Sequence, residues 1–560
     1  MKRAETLQYI CKNPEVSVLI LGGGVNGIGV FRDLALQGVD VYLAERNDFS
    51  SGTSAASSRM VHGGLRYLEV GDFKLVRESV QERNWLLENA PHAVRPQPSA
   101  IPIYSRFSGL LNAPLKFLNL LNKPSERGAV IAKLGLALYD LYTGKERTVP
   151  AHKILNRSES LKLFPDINPD IINVATYYDA QMALAERICV EMVIDGEEAN
   201  PNAHALNYLP VISHKGNGVI LQDKITKEEL LIYPKVVVNA AGPWIDHVTA
   251  TLGERTNYIK GTKGSHIVIN NPELYKAVGK YLIFFENKDG RFVMICRLGK
   301  RVLVGSTDTY SADPDQVICT PKEEGYFLEM VNLVFPQIEI ASEEIVFRFS
   351  GVRPLPNVQV RQTGQITRNH RIERINASPA KPYPILSLVG GKWTTFRAFA
   401  EEATNEILAF LEMPRKTDSR PYPIGGSKNY PEKTELWLEK LYRKTNIEKE
   451  VLNRWFERYG ARAAALASFT SENGSEQPLH ALSNYTVSEI LFIIQNEKVL
   501  HLDDFLLRRS LIAMEGNITY PLIQNLSYIF EKELNWDEEQ RIVEIGRLTN
   551  ILKTKHQVCS

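Results

Sequence analysis

Val16-Ser17-Val18-Leu19-Ile20-Leu21-Gly22-Gly23-Gly24-Val25-Asn26-Gly27 is the stretch that decides the fold. The apolar run 16–21 predicts a buried parallel strand, Ile28 to Gln37 the helix after it, and Val39 to Ala44 a second strand that ends at Glu45. In such a βαβ unit Gly22 permits the tight turn and Gly24 lets the backbone approach a pyrophosphate. Gly27 lets the helix pack close to the strand, and the helix N-terminus faces the phosphates. Glu45 is placed to accept hydrogen bonds from an adenosine ribose, and an acid there disfavours a 2′-phosphate.

Working outward, 560 residues are enough for roughly three or four domains. With 44% hydrophobic and 23% charged residues the chain has the composition of an ordinary globular protein. A net charge of +1 with no long basic run gives no reason to expect a nucleic-acid partner. Five scattered cysteines without a CxxC argue against disulfides and against a metal site, and fit a reducing cytoplasm. The first fifteen residues lack an apolar core of signal length. No run approaches the roughly 18 uncharged apolar residues of a spanning helix.

Further strands are expected at Leu231 to Asn239, running into Ala240-Ala241-Gly242-Pro243, and at Ile385 to Val389 before Gly390-Gly391. Residues 72–89 read as a helix, 176–270 as alternating strands and turns, 281–310 as antiparallel strands, and 394–411 as a helix. Pro414, Pro421, Pro423 and Pro431 with Gly425-Gly426 read as a linker, and residues 433–555 as helices. A cofactor sheet gathered from distant segments around an antiparallel substrate domain is how large flavoproteins are built, which favours FAD over NAD.

Several blocks resemble the FAD-dependent glycerol-3-phosphate dehydrogenases of the respiratory, aerobic type. They are Gly52-Thr53-Ser54-Ala55-Ala56-Ser57-Ser58-Arg59-Met60-Val61-His62-Gly63-Gly64-Leu65-Arg66-Tyr67-Leu68-Glu69, Asn239-Ala240-Ala241-Gly242-Pro243-Trp244, Lys263-Gly264-Ser265-His266 and Gly305-Ser306-Thr307-Asp308-Thr309. Gly351-Val352-Arg353-Pro354-Leu355, Gly390-Gly391-Lys392-Trp393-Thr394-Thr395-Phe396-Arg397 and Asp504-Phe505-Leu506-Leu507-Arg508-Arg509 complete the set, in order over about 15 to 550.

The resemblance implies an α/β multidomain fold with a Rossmann-like FAD domain of the glutathione-reductase/D-amino-acid-oxidase type. An antiparallel substrate domain and a C-terminal all-helical cap go with it. The expected layout is cofactor domain 15–105, 181–260 and 371–412; substrate domain 106–180 and 261–370; linker 413–432; and helical domain 433–560. The last is expected to be a separate cap without catalytic residues, so that a chain ending near 425 still binds FAD.

Noncovalent FAD is expected on Gly22, Gly24, Asn26, Gly27 and Glu45, and on the hydroxyl-bearing Thr53, Ser54, Ser57 and Ser58. His62, Gly63, Gly64, Leu65, Gly242, Gly391, Lys392, Thr394 and Thr395 join this set by resemblance. The glycines allow the backbone near the flavin, and the helix start after Gly391 puts positive potential near its pyrimidine edge. The family's substrate positions map onto Arg66, Tyr67, His266, Arg353, Arg368 and Lys392, where guanidinium groups suit a phosphate. His62 or His266 is positioned to take the hydroxyl proton, with Arg353 and Lys392 completing the catalytic set; Lys392 could instead stabilise a developing alkoxide.

The implied reaction oxidises sn-glycerol 3-phosphate to dihydroxyacetone phosphate by hydride transfer to flavin N5, with ubiquinone or menaquinone as acceptor. An oxygen-using oxidase and a catalytically silent flavoprotein are the alternatives. One block departs from the family: Leu184-Ala185-Glu186-Arg187 stands where two acids or Asn-Asp usually precede Ala-Arg. A homodimer bound peripherally to the inner face of the cell membrane is expected. Phe107 to Leu141, apolar with a basic excess, is the segment expected to meet anionic headgroups.

Overall fold

The structure, a computed structural model, describes residues 3–64, 73–105, 136, 149–287, 292–311, 313–358, 369–473 and 477–558. Five parallel strands form its nucleotide sheet in the order Ile385–Val389, Glu229–Asn239, Glu15–Leu21, Val41–Ala44 and Ala203–Leu206, with Arg371–Ile375 antiparallel at one edge. The unbroken apolar runs follow from burial on both faces. Val18, Ile20, Val236 and Val238 pack beneath the helices Val25–Leu36, Ala185–Ala199 and Phe396–Phe410. Their neighbours Leu19, Leu21 and Val237 point to the opposite core with Leu7 and Ile10 of the first helix. Chain order reverses between Glu15–Leu21 and Glu229–Asn239, which opens a crevice at their carboxyl ends.

A second, mostly antiparallel sheet of ten strands includes Thr262–Ile269, Arg301–Gly305, Phe292–Leu298, Leu282–Glu286, Arg95–Ile103 and Asn173–Gln181, with Ile345–Arg353 against Thr262–Ile269. One face packs on the helices Pro272–Val278 and Pro321–Val334. The other face, through Val268, Met294, Phe347 and Phe349, shares a core with Trp455, Phe505 and Leu506 of the C-terminal region.

Three expectations meet a different structure. Residues 185–199 form a helix buried almost all round, not strands and turns. Arg95–Ile103, expected in the first cofactor segment, pairs in the second sheet. The 413–432 segment is strapped to the nucleotide domain: Arg415 pairs with Asp33, and a Cβ on Gly425 would lie 2.1 Å from Glu191 Oε2. C-terminal helices Thr434–Thr445, Lys449–Tyr459, Ala463–Asn473, Val487–Asn496, Tyr520–Leu534 and Glu538–Ile551 enclose a small hairpin, Pro478–Leu479 with Leu482–Thr486. Asp48 docks this region, accepting from Arg509 at 2.8 and 2.9 Å and also from Arg508, while Tyr208 donates to Asp504 at 2.6 Å.

Candidate active site

A cavity of about 790 Å³ fills the crevice. Its floor is the turn after the first strand. Gly22 has φ +119°, and a Cβ there would lie 2.6 Å from Ala240 O; a Cβ on Gly27 would lie 2.0 Å from Gly22 O. Neither position tolerates a side chain, so the helix start is pressed against the strand. That helix has no side-chain cap on its Gly24 N-cap and no acid in its first turn. Its Val25 N–H donates to Ser54 Oγ at 3.0 Å, and Asn26 keeps a buried Oδ1 without a hydrogen-bond partner. A helix N-terminus with a glycine N-cap and no acid, opening onto a cavity, suits an anion, and the residues present fit the pyrophosphate of FAD.

Glu45 shapes this turn as well as facing the cavity. Its carboxylate accepts from Gly23 N at 2.6 Å and from Asn47 N at 2.8 Å. Burial pushes its pKa up, and those two backbone bonds pull it down. The hydroxyl-rich loop forms the facing wall. Thr53 Oγ1 donates to Val352 O at 2.6 Å, Ser54 O accepts from Trp393 Nε1 at 3.0 Å, and Ser57 Oγ accepts from Arg59 N at 3.2 Å. Ser58 Oγ lies 2.9 Å from His266 Nε2. The far wall is Gly390-Gly391-Lys392, with both glycines at positive φ, and Gly242 turns at φ +57° beside it.

Gly22, Gly24, Asn26, Glu45, Thr53, Ser54, Gly242, Gly391 and Lys392 of the expected cofactor set all line the one cavity. Gly27, Ser57, Ser58, His62, Gly63, Gly64, Thr394 and Thr395 are not among its lining residues. His62 N donates to Thr394 Oγ1 at 3.2 Å and Gly63 N to Asp179 Oδ1 at 3.0 Å, so the His-Gly-Gly turn is tied to two separate segments. Leu65, Arg66, Tyr67, Arg368 and nearly all of the 107–141 segment lie outside the described residues.

Arg353 ends a strand that lines the cavity through Ser350, Gly351 and Val352. It donates to Ser306 Oγ at 2.9 Å, to Thr307 O at 3.1 Å and to Asp308 Oδ1 at 3.3 Å. A Cβ on Gly264 would lie 2.3 Å from Arg353 Nη2, so that glycine makes room for the guanidinium. Lys392 Nζ donates to Ser79 Oγ at 2.6 Å.

His266 has a different setting. It is 1% exposed, stacks on Phe349 and reaches Ser58 with Nε2. Burial first, then the Arg353 and Arg59 charges, press its pKa down to about 3. Asp179, Ser79, Ser306 and Asp308 hold the site residues, and of these only Ser306 and Asp308 lie in one of the blocks quoted from the sequence.

The C-terminal region is more than a cap, because Asp503, Arg508, Arg547, Ile551, Lys555 and His556 line the same cavity. The departure at 184–187 also has a structural answer. Glu186 takes a bidentate bond from Arg59 at 2.6 and 2.7 Å, and Arg187 pairs with Glu497 of the C-terminal region.

A doubly faced parallel sheet, a glycine turn at its switch point and this cavity define a dinucleotide-binding protein. The model of the FAD dependent oxidoreductase family matches residues 17–378, and that of the C-terminal domain of alpha-glycerophosphate oxidase matches 417–541. A glycerol-3-phosphate dehydrogenase from Synechocystis is 33% identical over 94% of this chain and 95% of its own. An aerobic glycerol-3-phosphate dehydrogenase from Staphylococcus haemolyticus is 28% identical over 90% of this chain and 88% of its own. The fold matches the X-ray structure of the glycerol-3-phosphate dehydrogenase from Bacillus halodurans complexed with FAD, with TM-score 0.76 at 22% identity over 99% and 97% of the two chains. The chain belongs to the FAD-dependent glycerol-3-phosphate dehydrogenase family, and its cofactor is FAD.

Proposed function

We propose that this chain oxidises sn-glycerol 3-phosphate to dihydroxyacetone phosphate in the crevice and passes the electrons to a quinone. The oxidation follows from membership of the family. The observation that carries the substrate reading is Arg353, held by Ser306 and Asp308 at the end of a strand that lines one cavity with Lys392. Two cations delivered by separate segments suit a dianionic phosphate beside a developing alkoxide.

FAD supplies the hydride acceptor, flavin N5. Arg353 binds the phosphate, and the packed Gly264 fixes the plane of its guanidinium. Lys392, anchored by Ser79, faces the carbinol oxygen and lowers the energy of its negative charge. As the C2–H bond breaks, the hydroxyl proton passes to the imidazole of His62, whose backbone is fixed by Thr394. His266 is the poorer base, since its Nε2 is engaged by Ser58, and burial with the Arg353 and Arg59 charges disfavours the protonated ring that accepting a proton would form. It acts as a positioning residue for the 53–58 loop. Arg66, Tyr67 and Arg368 complete the substrate pocket in this reading, and the Gly390-Gly391 backbone serves the flavin's pyrimidine edge.

A quinone dissolved in lipid requires contact with the membrane. Among the described residues no helix is long and apolar enough to cross one, which fits docking at the inner face through the 107–141 segment by a homodimer. Mixing the purified protein with glycerol 3-phosphate and a quinone analogue, with and without oxygen, is the test. Quinone reduction without oxygen is expected. Hydrogen peroxide formation with no quinone reduction would make the protein an oxidase, and a flavin that stays oxidised when substrate is added without quinone or oxygen would remove the substrate assignment.

A further inference from the structure

Asp315 sits at a junction that hydride transfer does not need. Its carboxylate accepts from Arg46 Nη2 at 2.6 Å and from Trp244 Nε1 at 3.1 Å, and the Arg46 guanidinium lies 4.1 Å above the Trp244 ring. Lys555 of the C-terminal region donates to the Asp315 backbone carbonyl. Two more contacts dock the same tail: Gln557 donates to Cys319 O at 2.6 Å, and His556 stacks on Phe347.

Four segments far apart in sequence therefore meet at one residue, two of them at its carboxylate and one at its backbone carbonyl. Arg46 directly follows Glu45, the acid placed for an adenosine ribose. Trp244 follows the Gly242 turn, Asp315 belongs to the substrate domain, and Lys555 lies near the chain's C-terminal end. All four line the cofactor cavity, together with Pro314 and Val317 of the Asp315 loop. The Arg46 and Asp315 side chains remain 37% and 50% exposed, so the junction lies at the mouth of the cavity and not in its depth.

We infer that the Asp315 loop is a clasp over the adenosine end of FAD, closed by Arg46, Trp244 and Lys555, and that the cofactor leaves only when this clasp opens. The inference rests on the crevice being the FAD site. A bond between half-exposed charges is weak enough to open on its own and is screened by salt. That suits a fastening which must admit the cofactor once and then retain it.

The test is the rate of flavin release, read as the rise of flavin fluorescence after dilution of the holoenzyme. Asp315→Ala, which removes both the Arg46 ion pair and the Trp244 hydrogen bond, should release FAD roughly five- to thirtyfold faster, and Arg46→Ala, which removes the exposed pair alone, roughly two- to fivefold faster. The double variant should be no faster than the faster single one, because both remove the same bond. Raising salt should speed release from the natural protein more than from Asp315→Ala. Glu406→Gln, which breaks the exposed Arg374–Glu406 pair away from the cavity, serves as a folding control and should release at the natural rate. Release at the natural rate from both clasp variants overturns the inference while leaving the FAD site intact. Purification of the natural protein without bound flavin would instead remove the site itself.

Discussion

Arg59 and Glu186 form a bidentate ion pair with neither side chain exposed, directly behind the hydroxyl-rich loop of the cofactor cavity. Arg59 also donates to Ala55 O at 2.9 Å and to Ala183 O at 3.1 Å, so one guanidinium fastens the 53–58 loop to the entry of the Ala185–Ala199 helix. Removing one partner leaves a buried charge alone, which typically costs about 3–5 kcal/mol. Glu186→Ala should lower stability by that order in denaturant titration. Arg59→Met with Glu186→Leu should cost clearly less, and equal losses would show that the charge itself is not the issue.

Arg353→Ala and Lys392→Ala should each lose activity far more than flavin content. Losing one partner of a desolvated charged contact costs about 2–5 kcal/mol, or roughly thirtyfold to several thousandfold. Turnover and the flavin-to-protein absorbance ratio, measured on the same samples, separate the two effects. Near-normal turnover by either variant would place the substrate elsewhere.

Acid should weaken the fold through two histidines. Burial holds His266 down to about pKa 3 and His556 to about 4, so the folded chain resists protons that the unfolded chain accepts from about pH 6.5 downward. The unfolded state then binds more protons, and stability falls as pH drops through that window, by up to about 1.4 kcal/mol per pH unit for each histidine. Replacing His266 or His556 with Gln should flatten the curve of stability against pH between 6.5 and 4. An unchanged slope in both variants would show that neither ring is neutral in the fold.

The flavin should be held without a covalent bond. Acid denaturation followed by centrifugation is expected to leave a yellow supernatant, and a yellow pellet would refute noncovalent binding.

Replacing Phe117, Leu118 and Leu121 by Ser should release the protein from anionic vesicles and leave its activity with a soluble dye. Vesicle binding equal to that of the natural protein would clear this segment of the membrane role.

Much of the cofactor domain could be read directly because its signals are local. The apolar run 16–21 and the valines at 236–238 are continuous, since the sheet is covered on both sides, and Gly22 and Gly27 stand where no Cβ fits. The helix Ala185–Ala199 escaped notice for the opposite reason. Glu186, Arg187, Glu191 and Asp195 are buried in ion pairs, so charges occupy core positions and the amphipathic period disappears. The segment with Gly425-Gly426 reads as loose because its glycines serve packing against Glu191 and Tyr459. In the site, the motif residues were visible, but what holds them was not. Lys392 meets Ser79, and Gly63 meets Asp179, across long stretches of chain that no spacing rule connects.

The parallel sheet draws its strands from residue 15 and, last of all, from residue 389. At a ribosomal rate of about 5–20 residues per second, on the order of 20–70 s separate the emergence of the first and last strands. During that interval the sheet lacks an edge, and the glycine turn has no opposite wall. The cofactor site is therefore incomplete until at least residue 389 of the 560 has been made. Cofactor binding is thus a late event in the making of this chain, and the first strand-turn-helix unit has to persist without it.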